Sequence, residues 1–400
     1  MEFTDKNMIL ENVQNRKRAL FGNIIEGGAY YNDGASMDDK SDSNLKAISF
    51  FNNLPFEDAE VLVPSKLNNY SSDIELDYLQ SLNVSNIVTS ANQGYLHKPF
   101  IEANTLEVNL SHLRTDCIIP VFSKDNEKTI AHQEFIDVVL NTAHKLFPQH
   151  TITAPEIRVS HQIKGRTPDA IYKNAKDLLD NEKTIYYERM AFIVKIPTII
   201  GNVGGNELAL TLGGVRSYNQ ENLYNKKTFE KFKFFIGFQN KICCNLCVTS
   251  DGFVEEMRVT RYTELQQKVT QIIQNYNAEQ HLSDMKSLTN SYLTEHQFAQ
   301  LIGKSRLYQH LPKKDKVTIP NLNFNDSQLN TIAKDYYEDD SFCRMEDGRI
   351  NLWNVYNLFT QANKSSYIDT FLDRNLNAFD FARGIEKTLN GDESYHWFLS

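Results

Sequence analysis

Cys243-Cys244-Asn245-Leu246-Cys247 holds three thiols within five residues and contains the C-x2-C spacing that zinc sites favour. A closed zinc site needs four ligands, usually from a second tight pair, and Cys117 and Cys343 each stand alone. The run also lies in a β-type stretch, where neighbouring side chains point to opposite faces, so the thiols are expected as core or edge residues and no metal is expected. Gly303-Lys304-Ser305 copies the end of a phosphate-binding loop, but Phe298 stands where the first glycine belongs and the preceding text is helical. Gly201-x-x-Gly204-Gly205 and Gly213-Gly214 lack the G-x-G-x-x-G spacing of a dinucleotide fold, so no nucleotide cofactor is expected.

Hydrolytic chemistry on Mg²⁺ would need converging carboxylates. Asp125, Glu127 and Glu188 are the candidates, with Lys128 and Lys195 nearby in sequence, but their spacing is undistinctive and a helix dipole accounts for Asp125 and Glu127. The ten histidines form no H-E-x-x-H, and no serine sits in G-x-S-x-G. A non-enzyme is the leading expectation, with a metal-dependent nuclease third.

The constellation that remains is basic and aromatic. Read with period two, Glu156–Arg166 puts Arg158, Ser160, Gln162 and Lys164 on one side and Val159, His161 and Ile163 on the other, with Arg166 at the end. Arg216 and Tyr218 follow, and then Lys226, Lys227, Lys231 and Lys233 lead into Phe234, Phe235 and Phe238. Single-stranded nucleic acid asks for this mixture: cations neutralise phosphates and exposed rings stack on bases. At least two of the three phenylalanines are expected in the core, which leaves the lysines as the signal. At the end of the chain, Trp397 and Phe398 follow an acidic step and could dock into a partner protein or pack onto the chain's own helices.

The charge is uneven. The chain carries a formal −9, yet residues 151–250 hold 14 basic and 9 acidic side chains, while residues 1–100 hold 8 and 14 and residues 251–350 hold 12 and 15. A basic middle between acidic flanks can attract a polyanion locally. Four hundred residues with 41% hydrophobic and 23% charged side chains suit a globular chain of two or three units. Five cysteines fit reduced thiols, no run of eighteen apolar residues is present, and the polar start reads as no signal peptide. The expected compartment is the cytoplasm, without a membrane.

The elements that would position these residues are α+β in order. Residues 1–60 read as an extended or disordered arm, residues 95–260 as a sheet domain, and residues 261–400 as a helical region packed on it. Strands are expected at 107–112, 117–122, 156–165, 186–196, 208–218 and 232–248, with a hairpin turn at Gly204-Gly205. Helices are expected at 130–147, stopped by Pro148, and at 168–180, 262–281, 294–311, 326–339, 351–362 and 366–389. Thr294 and Gln297 form a capping box. Trp353, Tyr356, Leu358 and Phe359 make an apolar helix face.

The strings EIRVSHQIKGR (156–166), KTIYYERMAFIVKIP (183–197), LTLGGVRSYNQENLYNKK (210–227), FKFFIGFQNKICCNLC (232–247), LTEHQFAQLIGKSRLY (293–308) and NLWNVYNLFTQANKSSYIDTFLDRNLNAF (351–379) resemble an uncharacterised family of the Bacteroides group. The likeness covers roughly residues 95–400, and the chain is also distantly similar to a broader phage- and plasmid-type family. The resemblance implies cargo of conjugative elements, plasmids or prophages, and no catalytic residues. The leading expectation is an accessory protein that binds single-stranded DNA through Arg158, Lys164, Arg166, Arg216, Lys226, Lys227, Lys231 and Lys233, with strand annealing, which would require an oligomer, as its boldest form. A regulatory or anti-defence factor that holds a host or element-encoded protein through the acidic helical half or through the terminal Trp397 and Phe398 is the alternative.

Overall fold

The computed structural model describes residues 99–119, 129–170, 172–218 and 229–400. The expected arm at 1–60, and Asp125, Glu127, Lys226 and Lys227, lie outside these residues.

The sheet is built around one long strand. Strand β3 (Lys183–Val203) pairs with β2 (Glu156–Arg166) on one side and β4 (Asn206–Ser217) on the other; β5 (Glu230–Asn240) continues the sheet, and every strand pair in it is antiparallel. Strand β1 (Leu106–Val108) extends the β2 edge, while β6 (Leu246–Cys247) and β7 (Phe253–Val259) both pair with β5. The β3–β4 connection is the expected hairpin: Val203 pairs with Asn206, and Gly204 and Gly205 take φ of +57° and +81°, which only glycine adopts cheaply at both positions. The register slips between Ile196 and Ile200, where Pro197 cannot donate to the ladder.

Both faces are covered, which is why β3 to β5 read as nearly continuous apolar runs. Against one face, through Phe192, Leu210, Phe232, Phe234 and Phe238, pack helix α2 (His132–Leu146) and helix α3 (Tyr262–Asn275). Gly214 gives Phe135 of α2 its place, because a Cβ there would stand 2.5 Å from the ring. Against the other face, through Ile193, Val215, Phe235 and Phe253, pack Phe100, Ile101 and the first turns of helix α9 (Ile368–Leu389). The first apolar cluster runs on from the sheet into α4 (Ala278–Leu288), α5 (Glu295–His310), α7 (Asp326–Glu338) and α8 (Leu352–Asn363), where Trp353, Tyr356, Leu358 and Phe359 are buried. The fold is α+β, with two helices before the main strands of the sheet and a run of helices after them. No described helix is long and apolar enough to cross a membrane.

Local side chains redraw several expected boundaries. The strand expected at 107–112 ends at Val108 because the Asn109 amide oxygen accepts the His112 N–H at 2.7 Å and starts helix α1 (Leu110–Thr115). The run 232–248 breaks at Cys244 (φ +58°), with the Asn240 side chain accepting from the N–H groups of Ile242 and Cys243. In place of the helix expected at 168–180, Pro168–Ala170, Ala175–Asp177 and Asp180–Glu182 form three short 3-10 turns, and 262–281 divides where Asn277 caps α4.

Candidate functional site

Of the eight predicted cations, six lie among the described residues, and they occupy three different settings. Arg216, on β4, is only 1% exposed. Its guanidinium donates to the Glu230 carboxylate on β5 and to the Ile130 carbonyl, while the Ile130 N–H donates to both Glu230 oxygens at 3.1 and 3.0 Å. The cation also lies 4.3 Å from the Phe232 ring centre and 4.7 Å from that of Tyr218. Beside it His132 stacks on Tyr218 at 4.3 Å and bonds the Tyr187 carbonyl; burial, with Arg216 adding to it, pushes the imidazole pKa down to about 3. This buried group welds the start of α2 to the sheet. Arg216 is therefore corrected from a phosphate contact to an internal tie.

Arg158, Lys231 and Lys233 face acids. Arg158 meets Glu107 of β1 at 3.2 Å, and Lys231 meets Glu256 of β7 at 3.2 Å. Lys233 donates to the Asp369 carbonyl at 2.9 Å and to the Asp373 carboxylate, both on α9. Nearby, Asp369 accepts from Ser217 and pairs with Arg189 at 3.0 Å, and Arg189 also meets Glu188 at 3.7 Å. Ser217, Lys231, Lys233, Glu255 and Glu256 line a cavity of about 220 Å³, which shares Glu255 with a second of about 350 Å³ reaching Asp373, Asn377, Asp380 and Tyr395. Burial raises the Asp380 carboxyl above its ordinary range. On this sheet face Arg158, Arg189, Lys231, Lys233 and Arg258 are each paired with a carboxylate, where a run of unpaired cations is expected.

Lys164 and Arg166 sit elsewhere, on a two-stranded ribbon. Beyond Ser160 of β2 and before Arg189 of β3 the two strands run past the last residues paired with β1 and β4, and among the described residues the Cys117–Ile185 bridge is the one backbone pairing that flanks them. His161, at φ +57°, interrupts the pairing, and past it Gln162, Ile163 and Lys164 are all exposed. Arg166 donates to the Lys173 carbonyl in the connection, where Lys173 pairs with Glu182 and Lys183 with Asp180. Lys164 and Lys176 make no ion pair among the described residues. Tyr172 in the connection is 98% exposed.

The thiols are buried as expected: burial pushes Cys243 up to about 11 and Cys247 up to about 12, keeping both protonated. Among the described residues no three His, Cys, Asp or Glu side chains gather within reach of one metal ion. Gly303-Lys304-Ser305 lies inside α5, which is no phosphate loop.

At the end of the chain Phe398 is fully buried against Tyr308, Phe381 and Tyr395, whereas Trp397 is half-buried, edge-on to Tyr308 at 6.3 Å. Phe398 is thus an anchor inside the molecule, not a free docking residue. A segment that sequence reading passes over lies beneath this turn: from His296 to Asn325 the chain has five basic residues, Lys304, Arg306, Lys313, Lys314 and Lys316, and one acid, Asp315. The signal was present, but pooling it with the acid-rich residues of 251–350 hid it.

A family model described as "Domain of unknown function, B. Theta Gene description (DUF3871)" matches residues 81–399, so the chain belongs to that family. Comparison with the curated proteins and with the solved structures returns no match.

Proposed function

We propose that this member of an uncharacterised Bacteroides-type family is a cytoplasmic nucleic-acid-binding accessory protein of a mobile genetic element. Its ligand is single-stranded DNA, and it supports recombination or annealing rather than carrying out a catalytic step. The observation that carries this reading is the β2–β3 ribbon. Lys164 is exposed and without an ion pair among the described residues, as is Lys176 in the connection, where Lys173 and Lys183 are paired with Glu182 and Asp180, and β1 and β4 do not pair with this end of the ribbon. Backbone neutralisation by such a ribbon gives weak sequence selectivity and steep salt dependence. The link to mobile elements rests on resemblance alone.

Fluorescence anisotropy of the protein with a labelled 30-mer single strand tests this. Binding is expected at low salt, with log affinity falling by about 0.7 per phosphate contact for each log unit of salt. Lys164→Glu with Lys176→Glu should weaken it. Affinity that ignores salt would remove the reading. The alternative of a protein-binding factor has one observation in its favour, the exposed Tyr172 and Leu179 in the ribbon connection, and a pull-down that depends on those two residues would support it.

A further inference from the structure

We infer that the surface formed by the second half of α5, helix α6 (Lys313–Lys316) and Trp397 is a stacking site for single-stranded nucleic acid, separate from the ribbon. This inference rests on the reading that the chain binds nucleic acid.

The argument starts with charge. Lys313 and Lys314 are exposed and have no ion pair among the described residues, and the one acid between His296 and Asn325 is Asp315. Arg306 is the exception among the five cations, held by Asp326 at 2.6 and 3.0 Å. This is the reverse of the sheet face, where Lys233 and Lys231 meet α9 and β7 carboxylates. A phosphate backbone supplies the anions that Lys313 and Lys314 lack.

Rings lie between these cations. The Lys304 ammonium stands 4.9 Å over the Trp397 ring, and the Lys316 ammonium 4.9 Å over the Tyr308 ring while donating to the Gln309 carbonyl at 3.1 Å. Tyr308 and Trp397 meet edge to face, so lysine, indole, phenol and lysine form a continuous row. Phe398, packed 5.1 Å from Trp397 and buried beneath it, fixes the turn, so the half-exposed indole is held in place before any ligand arrives. A base can lie on such a ring only if it is unstacked, which selects a single strand over a duplex.

The backbone beside this row is also open. Gly303, Arg306, Leu307 and His310 share one exposed face of α5, and a Cβ on Gly303 would meet nothing within 4 Å. Packing therefore does not require glycine there; its absence of a side chain leaves the helix face clear for close approach.

The chain's two tryptophans make the test specific. Trp353 is 1% exposed in the core, so a change in indole emission on adding a dT 30-mer reports on Trp397. Quenching is expected, and Trp397→Phe should abolish it and weaken binding by about tenfold, in line with the loss of one stacked base. Lys313→Glu with Lys314→Glu should weaken binding at least as much and lower the log–log salt slope by about 1.4, two contacts' worth. Lys164→Glu with Lys176→Glu should leave the quench in place. If wild-type protein at micromolar concentration and about 50 mM salt gives no anisotropy change with the dT 30-mer, the nucleic-acid reading falls and this site falls with it. If wild type binds, but Trp397→Phe and the Lys313/Lys314 variant bind as well as wild type, this site alone is overturned. Polyglutamate bound as tightly as the dT 30-mer would also overturn it, by assigning the surface to an acidic protein.

Discussion

The sheet centre and the α5–α6 segment both place lysines and arginines near aromatic rings, and they use them in opposite ways. On β4 and β5 the cations close on carboxylates 14, 25 and 140 residues on: Arg216 on Glu230, Lys231 on Glu256, Lys233 on Asp373. On α5 and α6, Lys304 and Lys316 lie over rings and Lys313 and Lys314 make no ion pair among the described residues. The first region is basic in sequence but its cations are taken up by carboxylates; the second lies in an acidic stretch of sequence but keeps two exposed lysines without ion pairs among the described residues. Segment charge therefore does not report surface field: partners brought in by the fold decide which cations are left for a ligand.

The contrast can be broken most forcefully at Arg216. Replacing it with Leu strands a buried Glu230 carboxylate and should cost about 3–5 kcal/mol in urea unfolding, while adding Glu230→Leu should recover much of that loss. An Arg216→Leu variant as stable as wild type, with weakened DNA binding, would reverse the assignment of this residue.

Acid should loosen the molecule at two buried histidines, His132 beside Arg216 and His281 of α4 against Phe238, Tyr276 and Phe379. His132 and His281 are buried, and burial holds both near pKa 3 in the folded state against about 6.5 unfolded. The unfolded chain thus binds more protons between those values, so this stability is fully present above about pH 6.5 and is lost as pH falls toward 3, by up to about 1.4 kcal/mol per unit for each histidine. Urea midpoints at pH 7 and pH 5 check this, and a His132→Phe variant should show a flatter profile.

Lys233→Ala should cost about 1.5–3 kcal/mol, because it removes a charge-assisted bond to α9 at a mostly buried site. By contrast, Lys313→Ala and Lys314→Ala should stay within about 0.5 kcal/mol of wild type. Gly303→Ala should raise stability by about 0.5–1 kcal/mol, since it improves helix propensity without a clash. Thermal melts of these variants side by side sharpen the comparison. A large loss at Lys313 would mean that it too is a structural tie.

Much of the frame was legible because strong local signals agree with the tertiary solution. Gly204-Gly205 demanded a hairpin, Thr294 with Gln297 opened α5 through the expected capping box, and Pro148 followed the helix it was expected to stop. Misses came where a single polar side chain outbid the pattern, as Asn109 and Asn277 did by capping helices. The candidate site was far less legible. Nothing local tells Arg216 that Glu230 will face it, or Lys233 that α9, some 140 residues later, will bring Asp373. The α5–α6 lysines were readable in principle, because their lack of local acids is a property of thirty consecutive residues, but a hundred-residue window averaged it away.

Lysine acetylation followed by peptide mass spectrometry, with and without a dT 30-mer, tests the central contrast most directly. In free protein Lys313 and Lys314 should react early and Lys233 late, and the oligonucleotide should slow Lys313 and Lys314 while leaving Lys233 unchanged. Lys233 reacting as fast as Lys313, or Lys313 and Lys314 reacting at the same rate with and without the oligonucleotide, would contradict the account.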